Sequence, residues 1–193
     1  CCRNGQSLMN APNRVTPAQR LRTLKSAVVR KGFVRIIEAH SGLSAIIGET
    51  THVVDNGRTL EYDGIWESSL TDSATKGLPD ASIVGVESRL HTINEILSVT
   101  TKPLIVDGDT GGEPTQFQFL VENLERLGVS AVIIEDKVFP KRNSLDSFAS
   151  QTLEDPETFA QKIMYGKQVT LSDDFMIVAR IESLIAGTGL QDA

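Results

Sequence analysis

The chain has 193 residues, 40% of them hydrophobic, with 19 Lys and Arg against 25 Asp and Glu and a formal net charge of -6. Such values suit one globular domain and exclude the disordered and fibrous classes. The acidic balance is diffuse, which argues against a nucleic-acid partner, and no apolar run approaches the ~20 residues of a membrane-spanning helix. Cys1 and Cys2, the only cysteines, are adjacent and form no disulfide framework, so a reducing, cytoplasmic setting is expected.

In chain order, residues 1–15 are polar and without periodicity and read as a tail. Thr16 followed by Pro17 marks a helix start, and Lys31-Gly32 its end. Phe33 to Glu38 is a short apolar run that predicts a buried strand, and Tyr62 to Trp66 predicts a second. Leu90 to Ser98 has helical spacing, Pro103 to Asp107 is a third strand, and Phe117 to Leu127 is again helical. Ala131 to Glu135 is the fourth strand, Thr158 to Met164 a helix, and Phe175 to Arg180 the fifth strand. Short apolar strands alternating with helices predict an α/β fold with a parallel sheet. Glu38, Asp107, Glu135 and Arg180 stand at strand ends, as the residues of a (β/α)8 TIM-type barrel mouth do. A doubly wound sheet also binds ligands there, but neither G-x-G-x-x-G nor a P-loop occurs. Only five strand ends are present against the eight of a barrel of ~250 residues. The expectation is therefore a barrel truncated to about its first five βα units, residues 16–193 being the N-terminal portion of a longer enzyme.

Three stretches carry candidate chemistry. Asp107, Asp109 and Glu135 at neighbouring strand ends offer the hard oxygen ligands that suit Mg²⁺. A glycine turn with solvated acids competes for Asp-Gly-Asp-Thr-Gly-Gly alone, and Glu135 at the next strand end tips the reading toward metal. The loop from Glu135 to Ser144 gathers Lys137, Lys141, Arg142, Asn143 and Ser144, a set that fits a phosphate or phosphonate held against a metal. Trp66-Glu67-Ser68-Ser69-Leu70 can present backbone N–H groups and hydroxyls to a carboxylate or enolate oxygen, although Ser/Thr-rich loops are common as plain turns. Asp80 taken by itself reads better as a helix N-cap. His40 could line the mouth, and none of the three histidines is assigned as a metal ligand.

The stretch Glu135-Asp-Lys-Val-Phe-Pro-Lys-Arg-Asn-Ser144 resembles the E-D-K-x-x-x-K-x-N-S gating loop of the phosphoenolpyruvate mutase branch of the isocitrate lyase superfamily. EAHSGLSA (38–45), WESSL (66–70), GDTGG (108–112) and ARIES (179–183) fall in the same order, and the resemblance spans residues 16 to 193. The lyases of that superfamily carry a catalytic Cys in this loop, whereas this chain has none there. Phosphonopyruvate hydrolases depart from the Lys141-x-Asn143-Ser144 portion that this chain keeps. The resemblance implies interconversion of phosphoenolpyruvate and 3-phosphonopyruvate, with a related hydrolase or a catalytically incomplete fragment as alternatives. It also implies a homo-oligomer for the full-length form. By the same resemblance Asp107, Asp109 and Glu135 hold Mg²⁺ largely through water, and Trp66 walls the pocket. Ser68, Ser69 and Leu70 bind the pyruvoyl oxygens, and Asp80 is raised from N-cap to nucleophile. Asn143 and Ser144 grip the phosphoryl group, Lys141 supports loop closure, Arg180 adds charge, and Glu182 orients it.

Overall fold

The computed structural model describes residues 15–144 and 151–192. Apart from Val15, the expected tail lies outside them. Helix α1, Pro17–Lys31, begins and ends where the sequence signals put it. Thr16 accepts from the Gln19 backbone while Gln19 accepts from the Thr16 backbone, and Gly32 terminates the helix in the left-handed region with φ 74. Strand β1, Ile36–Ala39, starts three residues later than expected. The backbone of Arg35 is bonded to Asp63, and Phe33 stays exposed under the Arg35 guanidinium.

Helix α2, Gly42–Thr50, and the hairpin of β2, His52–Asp55, and β3, Arg58–Glu61, have no counterpart among the expected elements. The alternating succession then follows: β4, Gly64–Glu67; α3, Ser69–Thr75; α4, Val86–Val99; β5, Leu104–Asp107. It continues through α5, Pro114–Leu127; β6, Ala131–Glu135; α6, Pro156–Gln168; and β7, Met176–Arg180. The short α7, Ser183–Ala186, follows.

Among the described residues the main sheet has five strands in the order β1-β4-β5-β6-β7, every pairing parallel. Chain order and spatial order coincide, which makes the protein an arc of five βα units of a (β/α)8 barrel. Strand alternation divides the sheet into two faces. Ile65, Leu104, Val106, Val132 and Ile134 pack with Ile93, Phe117, Val121 and Leu124 of the helices. Each such buried side chain contributes roughly 1.5–3 kcal/mol through water exclusion. Ile36, Trp66, Ile105, Ala131, Ile133, Met176 and Val178 line the other face, against Leu24 and Val28 of α1. By the same alternation, Glu38, Asp107, Glu135 and Arg180 crown that inner face at the C-terminal ends of their strands. Apolar layers below therefore hold a charged rim above.

Candidate active site

The rim is built from the ends of β4, β5, β6 and β7. At β4, Ser69 donates its hydroxyl to Asp107 Oδ2 at 3.0 Å. At β5, Asp109 adopts φ 55, in the left-handed region that costs most residues energy but that Asp tolerates. Its backbone N–H donates to Asp107 Oδ1 at 3.0 Å, and its carbonyl accepts from the Glu135 backbone at 2.8 Å. Gly108 between the two aspartates lies so close to β6 that its N–H reaches Ile133 O at 2.6 Å.

The segment from Lys137 to Ser144 arches over this rim. Its base is tied by backbone bonds from Val138 to Thr152 and from Glu154 to Asp136. Lys141 Nζ, buried, lies 2.9 Å from Asp80 Oδ1 and 2.5 Å from Asp109 Oδ1, and donates to Ser69 Oγ at 2.8 Å. Burial opposes its charge, but Asp109 and Asp107 outweigh that and hold its pKa above the ordinary lysine value. Asn143 Nδ2 donates to the other Asp80 oxygen at 2.9 Å. On the far side, Ser144 donates to Glu182 Oε2 at 2.8 Å, and Lys137 Nζ lies 3.1 Å from that oxygen. Arg180 Nε lies 2.5 Å from Glu182 Oε1. Burial pushes Glu182 up, yet Ser144, Lys137 and Arg180 together hold it below the usual carboxylate range. Glu135 joins the two halves. Its carboxyl is raised by burial against the pull of Lys137, Lys141 and Arg180, the first 3.7 Å and the last 3.9 Å away.

The residues expected at the site thus divide. Ser69, Asp80, Asp107, Asp109, Lys141 and Asn143 share one network, and Glu135, Ser144, Arg180 and Glu182 share another. Ser68 is buried as the N-cap of α3 without a side-chain cap bond, and Leu70 is exposed. Trp66 sits on the inner face, its Nε1 buried without a hydrogen-bond partner among the described residues.

Asp107, Asp109 and Glu135 stand around the joint of the two networks with cations between them. Among the described residues no three His, Cys, Asp or Glu side chains close to direct metal-ligating geometry. Glu135 Oε1 is nonetheless buried with no hydrogen bond. An all-oxygen donor set of this kind fits an ion such as Mg²⁺ that keeps most of its own waters.

Two residues behind the rim were given no role by the sequence reading. Glu67, fully buried at the end of β4, has its carboxyl pushed up to about 7 by burial, against the pull of Arg89. Arg89 of α4 donates to Glu67 Oε2 at 2.8 Å and to the Asp107 carbonyl, and reaches Asp109 Oδ2 at 3.3 Å. Its position four residues before buried Ile93 puts it on the inward stripe of the helix, a signal legible in principle.

Fold and site together define part of a (β/α)-barrel, with an acidic cluster at the strand ends beneath a cationic loop. The chain matches the family model described as Phosphoenolpyruvate phosphomutase over residues 22–193 and belongs to that family. It is 38% identical over 171 residues to the phosphoenolpyruvate phosphomutase of Tetrahymena pyriformis, covering 88% of this chain and 54% of the relative. A crystal structure of phosphoenolpyruvate phosphomutase from Streptomyces platensis subsp. rosaceus superposes with TM-score 0.78 at 37% identity, over 86% of this chain and 55% of that one. A phosphonopyruvate hydrolase in complex with oxalate and Mg²⁺ superposes with TM-score 0.75 at 34% identity, over 92% and 56%. The chain spans about half the length of the relatives it matches.

Proposed function

We propose that the protein is a Mg²⁺-dependent phosphoenolpyruvate phosphomutase that interconverts phosphoenolpyruvate and 3-phosphonopyruvate, the step that forms a C–P bond for phosphonate biosynthesis. The observation that carries the reading is the seating of the loop: Lys141 and Asn143 both grip Asp80, 63 residues away from Asn143 in sequence. A loop closed over its own reactive carboxylate is what a phosphoryl transfer protected from water requires.

In the forward direction the oxygen–phosphorus bond of phosphoenolpyruvate breaks, and C3 of the resulting enolate takes the phosphoryl group. No proton is gained or lost. Ser68, Ser69 and Leu70 offer hydroxyl and backbone donors to the pyruvoyl oxygens, beside Trp66. Asp80 meets the phosphoryl group, which Asn143 and Ser144 hold while Arg180, oriented by Glu182, balances the charge that spreads over its oxygens in a loose transition state. Lys141 keeps the loop down. Asp107, Asp109 and Glu135 would hold Mg²⁺, which when bound supplies positive charge that favours the enolate. The test is to incubate the protein with Mg²⁺ and phosphonopyruvate and follow ³¹P NMR. Phosphoenolpyruvate is the expected product. Phosphate with pyruvate and no phosphoenolpyruvate would make the protein a hydrolase, and no turnover would remove both readings.

A further inference from the structure

Glu67 and Arg89 form a buried ion pair behind the rim, on the helix side of the sheet. Placing two charges there is costly, and a pair of apolar side chains would do as well for stability alone. The position of Arg89 indicates what the pair does. One end of its guanidinium is anchored by Glu67 Oε2 at 2.8 Å and by the Asp107 carbonyl. The other end meets Asp109 Oδ2 at 3.3 Å. Asp109 Oδ1, the oxygen left over, is the one that faces Lys141 at 2.5 Å. The backbone of Asp109 is held in a conformation most residues avoid. A cavity of about 380 Å³ on the helix side has both Arg89 and Asp109 in its lining, with Leu90, Ile93 and Phe119. Among the described residues the Arg89 fork is the polar contact that Asp109 Oδ2 has.

We infer that Glu67 and Arg89 are positioning residues for Asp109: they fix one carboxylate oxygen so that the other is aimed into the mouth, where it now meets Lys141 and where it would help hold the divalent cation. This rests on the reading of Asp107, Asp109 and Glu135 as the Mg²⁺ site. A planar five-donor fork can engage Glu67, a carbonyl and Asp109 together, whereas a lysine ammonium in its place cannot span them. Partners behind a metal-binding carboxylate typically change metal affinity by about 10- to 100-fold when removed.

The double variant Glu67→Gln/Arg89→Met tests this cleanly, because it removes both charges at once. Above about pH 7, where Glu67 is ionised, the net charge behind the cation site is then unchanged, and no lone charge of the pair is left to unfold the protein. Mn²⁺ binding is read by the loss of its free-ion EPR signal, alongside the thermal midpoint. The expected result is Mn²⁺ bound about 10-fold more weakly by a variant that melts close to the parent, with no recovery in Arg89→Lys. Mn²⁺ affinity within twofold of the parent in the folded double variant would overturn the inference. Failure of the parent itself to bind Mn²⁺ would overturn the metal reading, and the inference with it.

Discussion

Gly108 lies between two of the rim carboxylates, and an alanine there tests how tightly the site depends on the β5–β6 contact. An added Cβ would sit 2.8 Å from Val132 Cγ2, 2.9 Å from Ile133 O and 2.9 Å from Ile134 Cγ2. Carbon contacts prefer roughly 3.5–4.0 Å, so the methyl is too close by about 0.7 Å on three sides. Val132 and Ile134 are fully buried and the third neighbour is backbone, so no single side chain can swing away. The end of β5 has to move from β6. Overpacking of this kind costs about 1–3 kcal/mol, taken here as about 2. For a chain of this size that lowers the thermal midpoint by about 4–8 °C. Asp107 and Asp109 hang from β5 and Glu135 from β6, so the same shift spreads the carboxylates. A misplacement of about 1 Å can cost roughly 100-fold in rate. Urea denaturation and the rate of phosphonopyruvate conversion measure the two effects separately. Gly42→Ala is the control: its Cβ meets Glu95 O at an ordinary 3.6 Å, and stability should hold or rise by up to about 1 kcal/mol. A Gly108→Ala protein as stable and as active as the parent would refute the argument.

Arg20, buried on α1, donates to the carbonyls of Thr100 at 2.9 Å and Lys102 at 3.0 Å, so Arg20→Met should cost about 2–3 kcal/mol in a urea titration. An unchanged midpoint would show that water replaces those bonds. Asn143→Ala frees one Asp80 oxygen and loosens the loop, and the share of phosphonopyruvate lost as phosphate should rise; a product ratio equal to the parent's would exclude Asn143 from loop closure. Burial pushes the Glu67 carboxyl from the ordinary 4.5 up to about 7 in the folded protein, so it pairs with Arg89 as an anion only toward and above that pH. The native state therefore binds the extra proton between those limits, and the contribution of Glu67 is full at the acid end and lost as pH rises through about 7. Subtracting the curve of Glu67→Gln from that of the parent should isolate a downward slope across this window, about 3 kcal/mol at most. A flat difference would mean that Arg89 keeps Glu67 ionised throughout.

The five main strands were legible because each is a short apolar run closed by a charge or a polar stretch, and Ala131–Glu135 agrees at both ends. Beyond α1, helix starts were read late, even where a proline marks them: α5 and α6 begin at Pro114 and Pro156 against expected starts at Phe117 and Thr158, and α4 at Val86 against Leu90. The hairpin of β2 and β3 turns at Asn56 and Gly57, with φ 48 and 76, a strong local signal. Its strands are almost wholly exposed and lack the apolar alternation that announces a half-buried sheet. In α2, Gly42 and Gly48 weaken helical propensity, and the reciprocal Ser41 and Ser44 bonds that cap it emerge only from the folded backbone. Asp80 shows the limit most clearly. Taken alone it reads as a cap, and only the family resemblance raised it; in the structure Gly85 caps α4, and Asp80 lies against Lys141 and Asn143. Glu67 and Arg89 stand 22 residues apart on different elements. Spacing puts Arg89 on the inward stripe of α4, but which carboxylate meets it there is a tertiary fact.

The arch from Lys137 to Ser144 is fastened at two sides of the mouth, by Lys141 and Asn143 toward Asp80 and Asp109 and by Lys137 and Ser144 toward Glu182. Lifting the Lys141 side alone would leave the buried Asp80 carboxylate without Lys141 and Asn143 while the Lys137 side still holds the loop down, a state several kcal/mol above the closed one. Such fastening favours an all-or-none cover. If the loop opens as a unit, water would reach the site only when both fastenings let go together. Under the proposed function, a transferring phosphoryl group would be sheltered by the infrequency of that coincidence, more than by the tightness of either seal.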